Sequence, residues 1–243
     1  MVIINYRNIL ETSEVTVSSE NASFPAYRLY DRNIGKLFKG NSTPANFYIT
    51  VDQCTGNFEA DRLIIPSGHN LGGLALKLQY STDNFVSDSH DADSWTGYLG
   101  DMNRSFSAQT KRFWRLNIAS PATAPELTEM YLTKDYTFER SPVYGLIESQ
   151  KKNVKREESL SGQVQLTKYG EMKRVRRYNV NQMSALQRYN FELWVQQWAG
   201  TKCFYVIDHT GILIFMEMLN EPEFPLAILN RYSCDLDLLE VLG

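Results

Sequence analysis

Histidines and acidic clusters are the residues of this 243-residue sequence that could do metal or acid–base chemistry. His69, His90 and His209 stand in unrelated segments, each beside turn-forming residues. The stretch 88–95, "DSHDADSW", places three aspartates around His90 and superficially resembles a calcium loop. It lacks the glycine and the closing glutamate that make an EF-hand loop specific. We therefore interpret it as a solvated acidic loop and predict no metal site.

Catalytic motifs are missing from the sequence. It contains no GxGxxG, P-loop, GxSxG or HExxH pattern and no recognisable nucleophile with a base beside it. Carboxylate pairs for glycoside hydrolysis depend on a separation that the sequence does not fix. The cysteines, Cys54, Cys203 and Cys234, are odd in number and far apart, which argues against a disulfide framework or a CxxC knuckle. We predict no catalytic residue, no cofactor and buried, unpaired cysteines.

The segment 63–73, "LIIPSGHNLGG", follows an apolar run in the way that many functional loops do. Its glycines, Gly68 and the pair Gly72–Gly73, suit unusual backbone angles, and His69 and Asn70 suit local hydrogen bonds. We interpret the segment as a structural turn, with a ligand-binding loop as the alternative.

Basic residues concentrate between positions 151 and 177, where nine lysines and arginines face three glutamates in a chain of net charge −3. Such a patch could contact nucleic acid phosphates, dock on an acidic protein face, or keep an exposed strand edge from mispairing. Because no aromatic residues alternate with the charges, sequence-specific nucleic-acid recognition is the least expected. We favour docking to another subunit through Lys173, Arg174, Arg176 and Arg177.

Residues 1–138 have the pattern of an all-β domain. Short apolar or alternating runs, bounded by Gly, Asn, Asp or Pro, recur at the spacing of a sandwich or jelly roll. The runs that predict strands are "NFYITVD", "ADRLIIP", "LALKLQYS", "RFWRLNIAS" and "ELTEMYLTKD".

Residues 139–243 form a second predicted domain, beginning near a Pro- and Gly-containing junction. "ESLSGQVQLT", a "KYGE" turn and "MKRVRRYNV" predict a hairpin, and three further strands follow a helix at 181–199. Asn181 is the expected N-cap, and Gly200 is expected to end the helix in left-handed geometry.

The predicted helix carries two apolar stripes. One stripe consists of Phe191, Trp194, Val195 and Trp198, and the other consists of Met183, Leu186, Tyr189 and Leu193. Two stripes imply burial on two sides, either inside one subunit or against a neighbour. We therefore add Phe191, Trp194 and Trp198 to the candidate assembly interface.

Residues 12–135 resemble discoidin-like, or galactose-binding-like, jelly-roll domains. The segments that carry the resemblance, in order, are "AYRLYDRNIGKLFKG", "NFYITVD", "ADRLIIPSGHNL", "LKLQYSTDNF" and "RFWRLNIAS". The Gly-His-Asn-Leu run is similar to versions carried by phage and prophage tail proteins. The resemblance implies rim loops able to bind sugar, with Asp31, Arg32, Lys36, His69 and Asn70 as candidate ligands.

Residues 145–243 resemble, in element order, the tail-tube-like fold of long-tailed phages, although here the accessory domain comes before the tube-like domain. This resemblance implies a structural component of a tail tip or baseplate, assembled into a ring, possibly a hexamer, with other tail proteins as partners. The expected location is the virion tail after assembly in the bacterial cytoplasm, since the sequence shows neither a signal peptide nor a membrane span. The alternative function is a carbohydrate-binding module that contacts host or virion glycans.

Overall fold

The computed structural model describes residues 2–5, 7–54, 56–140, 147–151, 154–158, 164–168, 172–228 and 231–241. The chain forms two compact units. One comprises Asn5–Asp135 and the other comprises Met1–Ile4 with Tyr136–Leu242. The fold class is mainly β, as the alternating sequence patterns predicted, with one α-helix among the described residues.

The N-terminal unit is a β-sandwich built from antiparallel strands. Its first layer has the strand order β2-β4-β9-β6-β7, and its second has the order β11-β5-β8, with a separate β3-β10 pair. The strands are β2 (Glu14–Val17), β3 (Phe38–Lys39), β4 (Asn46–Asp52), β5 (Phe58–Ile65), β6 (Ala75–Ser81), β7 (His90–Thr96), β8 (Met102–Lys111), β9 (Phe113–Ala119), β10 (Glu126–Leu127) and β11 (Tyr131–Thr133).

Every second side chain of these strands points into the core between the two layers. Phe47, Ile49 and Val51 of β4 are completely buried, while Tyr48 and Thr50 between them face outward. Leu116 and Ile118 alternate in the same way on β9. The buried apolar side chains of both layers form one cluster, so the first layer keeps a solvated outer face.

Four strands of this unit, β2, β3, β7 and β8, were missed by the sequence patterns. The stretch predicted as an acidic loop is mainly β7, and β8 was not predicted at all. Neither strand shows clean apolar alternation, because β7 lies at the edge of its sheet and its aspartates pair with cations. Conversely, the predicted strand at 126–135 is broken into β10, β11 and the start of β12 (Asp135–Thr137).

The C-terminal unit contains an eight-stranded sheet of order β12-β1-β17-β18-β20-β16-β13, with β19 paired to β20. Buried side chains of β16 and β20, among them Val180 and Leu236, alternate with exposed polar ones. A separate pair, β14-β15, lies next to β13 and β16 in the chain. The remaining strands are β1 (Ile3–Asn5), β13 (Ile147–Lys151), β14 (Val154–Glu158), β15 (Val164–Lys168), β16 (Lys173–Met183), β17 (Phe204–Ile207), β18 (Leu213–Met218), β19 (Leu226–Ile228) and β20 (Arg231–Glu240).

The helix is shorter than predicted. Helix α1 spans Ala185–Trp194 and continues as a π-helical turn, Val195–Ala199. Its N-cap is Ser184, whose hydroxyl accepts the backbone N–H of Gln187 at 3.1 Å, and not Asn181, which lies on β16. Gly200 has φ −67°, so the predicted left-handed ending is also wrong.

The two strands predicted to form a hairpin in this unit have other partners in the structure. Strand β15 pairs with β14, and β16 pairs with β13 and β20. The "KYGE" segment therefore does not join two partners of one ladder. If this segment were the turn of a hairpin, β15 and β16 would pair with each other. Strand β16 instead has its hydrogen-bond partners on β13 and β20.

The domain boundary also differs at the N-terminus. Residues 1–4 were assigned to the first domain, but Ile3 pairs with Ile207 and Ile4 with Val206. Strand β1 thus belongs to the C-terminal sheet, and the sandwich is inserted between β1 and the rest of that unit. Among the described residues, no helix is long and apolar enough to cross a membrane.

Candidate functional site

His69, predicted as a candidate sugar ligand, is committed to the backbone. The side chain is buried, its Nδ1 accepts the N–H of Leu71 at 3.3 Å, and its Nε2 lies 2.9 Å from the carbonyl oxygen of Gly100. Accepting at Nδ1 leaves the proton on Nε2, which then donates to Gly100. Both ring nitrogens are therefore occupied by the turn itself.

Asn70 ties the same turn to the segment before β10. Its amide nitrogen donates to the carbonyl of Ala124 at 2.9 Å, and its amide oxygen accepts the N–H of Glu126 at 2.9 Å. Gly68 and Gly73 have positive φ values, as expected, but Gly72 does not. The turn interpretation of the 63–73 segment fits these contacts.

The other rim candidates lie in a second loop, after the 3-10 turn Ala26–Leu29. Asp31 accepts the backbone N–H of Asn33 at 2.9 Å, and Lys36 lies 3.9 Å from its carboxylate. Arg32 forms an ion pair with Glu11. These contacts stabilise the loop, and the sugar-binding role of the five rim residues stays a prediction.

Glu129 is the most unusual group beside this loop. It is completely buried, and neither carboxylate oxygen has a hydrogen-bond partner of normal geometry. Burial and then the nearby charge of Asp31 raise the pKa of Glu129 to about 9, although the N–H groups of Arg32 and Asn33 oppose the shift. The side chain is therefore neutral at pH 7.

Three residues that could act as metal ligands, Glu14, Asp52 and Cys54, approach one another at one place among the described residues. Asp52 already accepts Nε and Nη2 of Arg112, at 2.7 and 3.0 Å, together with the N–H of Cys54. The Arg112 hydrogen bonds outweigh burial and lower the pKa of Asp52. This carboxylate is thus used by an arginine, and the cluster gives no reason to assign a metal.

A polar and aromatic surface lies on the outer face of the first layer. Strand register places Thr50, Arg115, Gln79 and Asp91 in one row across four strands, and Tyr48, Asn117 and Lys77 in the next. We define the outer-face site as five residues of these rows, together with Phe85 of the loop between β6 and β7. The five are Tyr48, Gln79, Asp91, Arg115 and Asn117.

Arg115 lies at the centre of the outer-face site. Its guanidinium carbon is 4.5 Å from the ring centroid of Tyr48 and 4.0 Å from that of Phe85. Its Nε donates to the amide oxygen of Gln79 at 2.8 Å. The amide nitrogen of Gln79 donates in turn to Asp91, at 2.6 Å. Only 8% of Gln79 is exposed, so its neighbours hold this hydrogen-bond chain rigidly.

Phe85 reaches Arg115 through a strained loop. Asn84 and Phe85 have φ values of 59° and 62°, a conformation that bulky side chains rarely adopt. The Ser81 hydroxyl accepts the N–H of Phe85 at 2.9 Å, and Asp83 accepts the N–H groups of Val86 and Ser87. The Ser87 hydroxyl bond holds the pKa of Asp83 below its usual range. Backbone strain that is enforced in this way is often found at functional sites.

The predicted assembly residues of the C-terminal unit divide into exposed and buried ones. Arg174 and Arg177 are exposed, and Lys173 is partly exposed. Arg176, in contrast, is only 3% exposed and pairs with Asp208 at 2.9 Å and with Glu148 at 2.8 Å. Its prediction as a surface docking residue is wrong, because it sits on the core-facing side of β16.

The aromatic part of the predicted interface is also largely internal. Phe191 and Trp194 are buried, and Trp194 packs edge-on against Phe204 with 4.9 Å between ring centroids. They are covered within their own unit and are unavailable to a neighbour. Trp198 is partly exposed beneath Lys202, and the second stripe leaves Leu186 and Tyr189 exposed. Other basic positions of the patch, such as Lys152, lie outside the described residues.

Comparisons with known proteins gave structural similarities only. No family model matches the chain, and no curated protein matches it. Chitosan-binding module 1 of a Paenibacillus sp. IK-5 chitosanase/glucanase is 18% identical with a TM-score of 0.45, covering 54% of this chain and 99% of the module. A Clostridium perfringens module, CpGH89CBM32-5 in complex with GalNAc-β-1,3-galactose, is 12% identical with a TM-score of 0.44, covering 52% and 99%. A Ruminococcus gnavus GH29 fucosidase is 14% identical with a TM-score of 0.46, covering 54% and 27%.

The outer-face site was not found by sequence reasoning. Its residues come from four strands and one loop, and each is unremarkable in its own segment. The sequence analysis predicted the strands that carry Tyr48 and Arg115 but assigned no role to either residue. The register that brings them together, and the left-handed backbone at Phe85, have no signal in the sequence.

Proposed function

We propose that the N-terminal unit binds carbohydrate at the outer-face site. The observation that carries the proposal is the stack of Tyr48, Arg115 and Phe85, held in place by a strained loop. Sugar rings offer C–H faces that pack on aromatic side chains, and hydroxyl groups that bond to amide, carboxylate and guanidinium groups. Ligand sites commonly combine aromatic surface with a few fixed polar groups in this way.

Several features of the site suit a ligand. Tyr48 and Phe85 are only partly buried, so each ring keeps accessible surface. Since Gln79 donates a hydrogen bond to Asp91 and accepts one from Arg115, these side chains are already ordered, and binding would cost little side-chain ordering. The absence of catalytic activity stays a prediction.

A glycan array probed with the whole protein tests this proposal. We expect binding to a subset of glycans, and an affinity at least ten-fold lower after Tyr48→Ala or Phe85→Ala. Tyr98→Ala is the matched control, because Tyr98 is an exposed aromatic residue in a separate loop. Absence of binding across the array, or equal losses in all three variants, would refute the site.

A second candidate function is structural: a ring-forming component of a phage or phage-derived tail tip or baseplate, located in the virion tail after assembly in the host cytoplasm. The observation that favours it is strand β13, which ends the eight-stranded sheet and has all five residues exposed. An edge of this kind can pair with another chain.

Light scattering over a concentration series tests the structural function. A closed oligomer that is lost after charge reversal of Lys173, Arg174 and Arg177 would support it. Arg176 is left unchanged, because reversing a buried charge would unfold the unit. A strict monomer in both proteins would contradict self-assembly by this chain alone.

A further inference from the structure

We infer that the ligand of the outer-face site carries a carboxylate and that Arg115 binds it, so the substrate class is an acidic saccharide. This inference rests on the proposed carbohydrate function and specifies its chemistry. The positive charge of Arg115, at the centre of the site, has no ion-pair partner among the described residues.

Arg115 differs from most other arginines of its unit in having no acidic partner. Arg32, Arg62, Arg104 and Arg112 each pair with a carboxylate. Within the described ranges, no carboxylate oxygen lies within 4.0 Å of the Arg115 guanidinium, and its closest polar partner, Gln79, is neutral. The central positive charge of the site is therefore available to an anion.

Asp91, the acid in the same row of the sheet, forms no ion pair with Arg115. One carboxylate oxygen of Asp91 accepts Gln79 at 2.6 Å, and the other accepts Nζ of Lys77 at 2.7 Å. The Lys77 bond is the main reason that the pKa of Asp91 is lowered. Asp91 thus makes its ion pair with Lys77, and the charge of Arg115 acts on Asp91 only from a distance, so the Arg115 guanidinium has no direct ion-pair partner in the described part of the chain.

The orientation of Arg115 suits a planar anion. The guanidinium contacts the rings of Tyr48 and Phe85, and the hydrogen bond from Nε to Gln79 further fixes its orientation. Nη2 has only a 3.5 Å contact with Ser89, and Nη1 donates no hydrogen bond to the described residues. Apart from this long contact, the terminal nitrogens have no hydrogen-bond partner among the described residues and can make the bidentate bonds that arginine forms with carboxylates.

Matched ligand pairs test the charge requirement on the unaltered protein. The probes are tetragalacturonate against its fully methyl-esterified form, and 3′-sialyllactose against lactose, titrated by calorimetry. We expect at least one acidic member to bind ten-fold or more tightly than its neutral partner. That preference should shrink as NaCl is raised from 0.05 to 0.5 M, since salt screens exposed charges.

Variants assign the carboxylate contact to Arg115. Arg115→Gln should abolish the preference for the acidic member, and Arg115→Lys should restore only part of it, because lysine lacks the planar fork. Arg104→Gln is the matched control: Arg104 lies over Trp95, at 5.5 Å, but already binds Asp93 through two nitrogens. Its loss should leave the preference unchanged.

The outcomes separate this inference from the proposed function. Equal affinity for acidic and neutral members, or binding of neutral glycans only, overturns the carboxylate inference and leaves carbohydrate binding intact. An acidic preference that survives Arg115→Gln overturns the role of Arg115. Absence of binding to every glycan refutes both proposals.

Discussion

At the residue scale, Glu129 makes the stability of the N-terminal unit depend on pH. Its folded pKa of about 9 lies far above the ordinary value of 4.5, because burial disfavours the charged form. A raised pKa means that the folded state binds the proton more tightly. The contribution to stability is complete below pH 4.5 and is lost progressively as pH rises toward 9.

Glu129→Gln should remove this dependence. Glutamine keeps the shape of the neutral acid, so we expect a flatter plot of unfolding free energy against pH between 5 and 9, and a more stable protein at pH 8. The wild-type slope at a single such site approaches roughly 1.4 kcal/mol per pH unit. Urea unfolding at pH 5, 7 and 8.5 measures it. Parallel slopes in both proteins would show that Glu129 is ionised when folded.

Asp208 has the opposite behaviour in the C-terminal unit. Burial would raise its pKa, but hydrogen bonds from Thr210 and Arg176 outweigh it and lower the pKa to about 2. Stability from this group is present above pH 4 and is lost as pH falls toward 2. The pair joins the turn after β17 to β16, and both partners are at most 3% exposed.

Asp208→Asn should therefore destabilise the C-terminal unit by about 3–5 kcal/mol at pH 7, since it leaves Arg176 as a buried charge with a weakened partner set. Thermal unfolding at pH 7 and pH 3 is the measurement. The difference from wild type should narrow at pH 3, where Asp208 begins to protonate in the unfolded state. A difference that is small at pH 7 would contradict a buried ion pair.

At the element scale, the start of α1 depends on Ser184. Helix N-caps of this kind contribute about 1 kcal/mol, because the side-chain oxygen satisfies a backbone N–H that has no partner inside the helix. We expect Ser184→Ala to lower the unfolding free energy of the C-terminal unit by about that amount. Asn181→Ala, three residues earlier on β16, is the control and should lose no cap. Equal effects in chemical denaturation would contradict the assignment.

Strands and turns differed in how far the sequence could predict them. Core strands such as β4 and β9 alternate apolar and polar residues, so their existence and facing were predictable. Strand β7 was not, because Asp91 and Asp93 are paired by Lys77 and Arg104 in space and make the strand appear solvated in sequence. The helix start was misplaced for a related reason: Asn181 and Ser184 are both good caps, and only the β16–β20 pairing decides between them.

At the scale of the whole molecule, the mainly β fold could be predicted, whereas the outer-face site could not. Tyr48, Gln79, Phe85 and Arg115 are separated by up to 67 positions, from 48 to 115, and only sheet register brings them together. Apolar stripes on the helix indicated burial on two sides, but they could not distinguish an internal core from a neighbouring subunit. Phe191 and Trp194 prove to be internal.

The insertion of the sandwich predicts that it folds by itself. Its ends are joined internally, since Asn8 donates to the carbonyl of Met130 at 2.8 Å and accepts the N–H of Leu132. We expect a fragment of residues 5–135 to unfold cooperatively with the glycan affinity of the full chain, measured by circular dichroism and calorimetry. A fragment lacking cooperative unfolding would contradict the division into two units. Glycan binding that is lost in a folded fragment would contradict the proposed location of the site.

Strand β1 also has a consequence for synthesis. Val206 follows its partner Ile4 by 202 residues, so the two can meet only after the intervening residues have been synthesised. At translation rates of about 5–20 residues per second, the wait is roughly 10–40 s. The inserted sandwich can finish folding in that interval, while strand β1 stays without its partner strand β17.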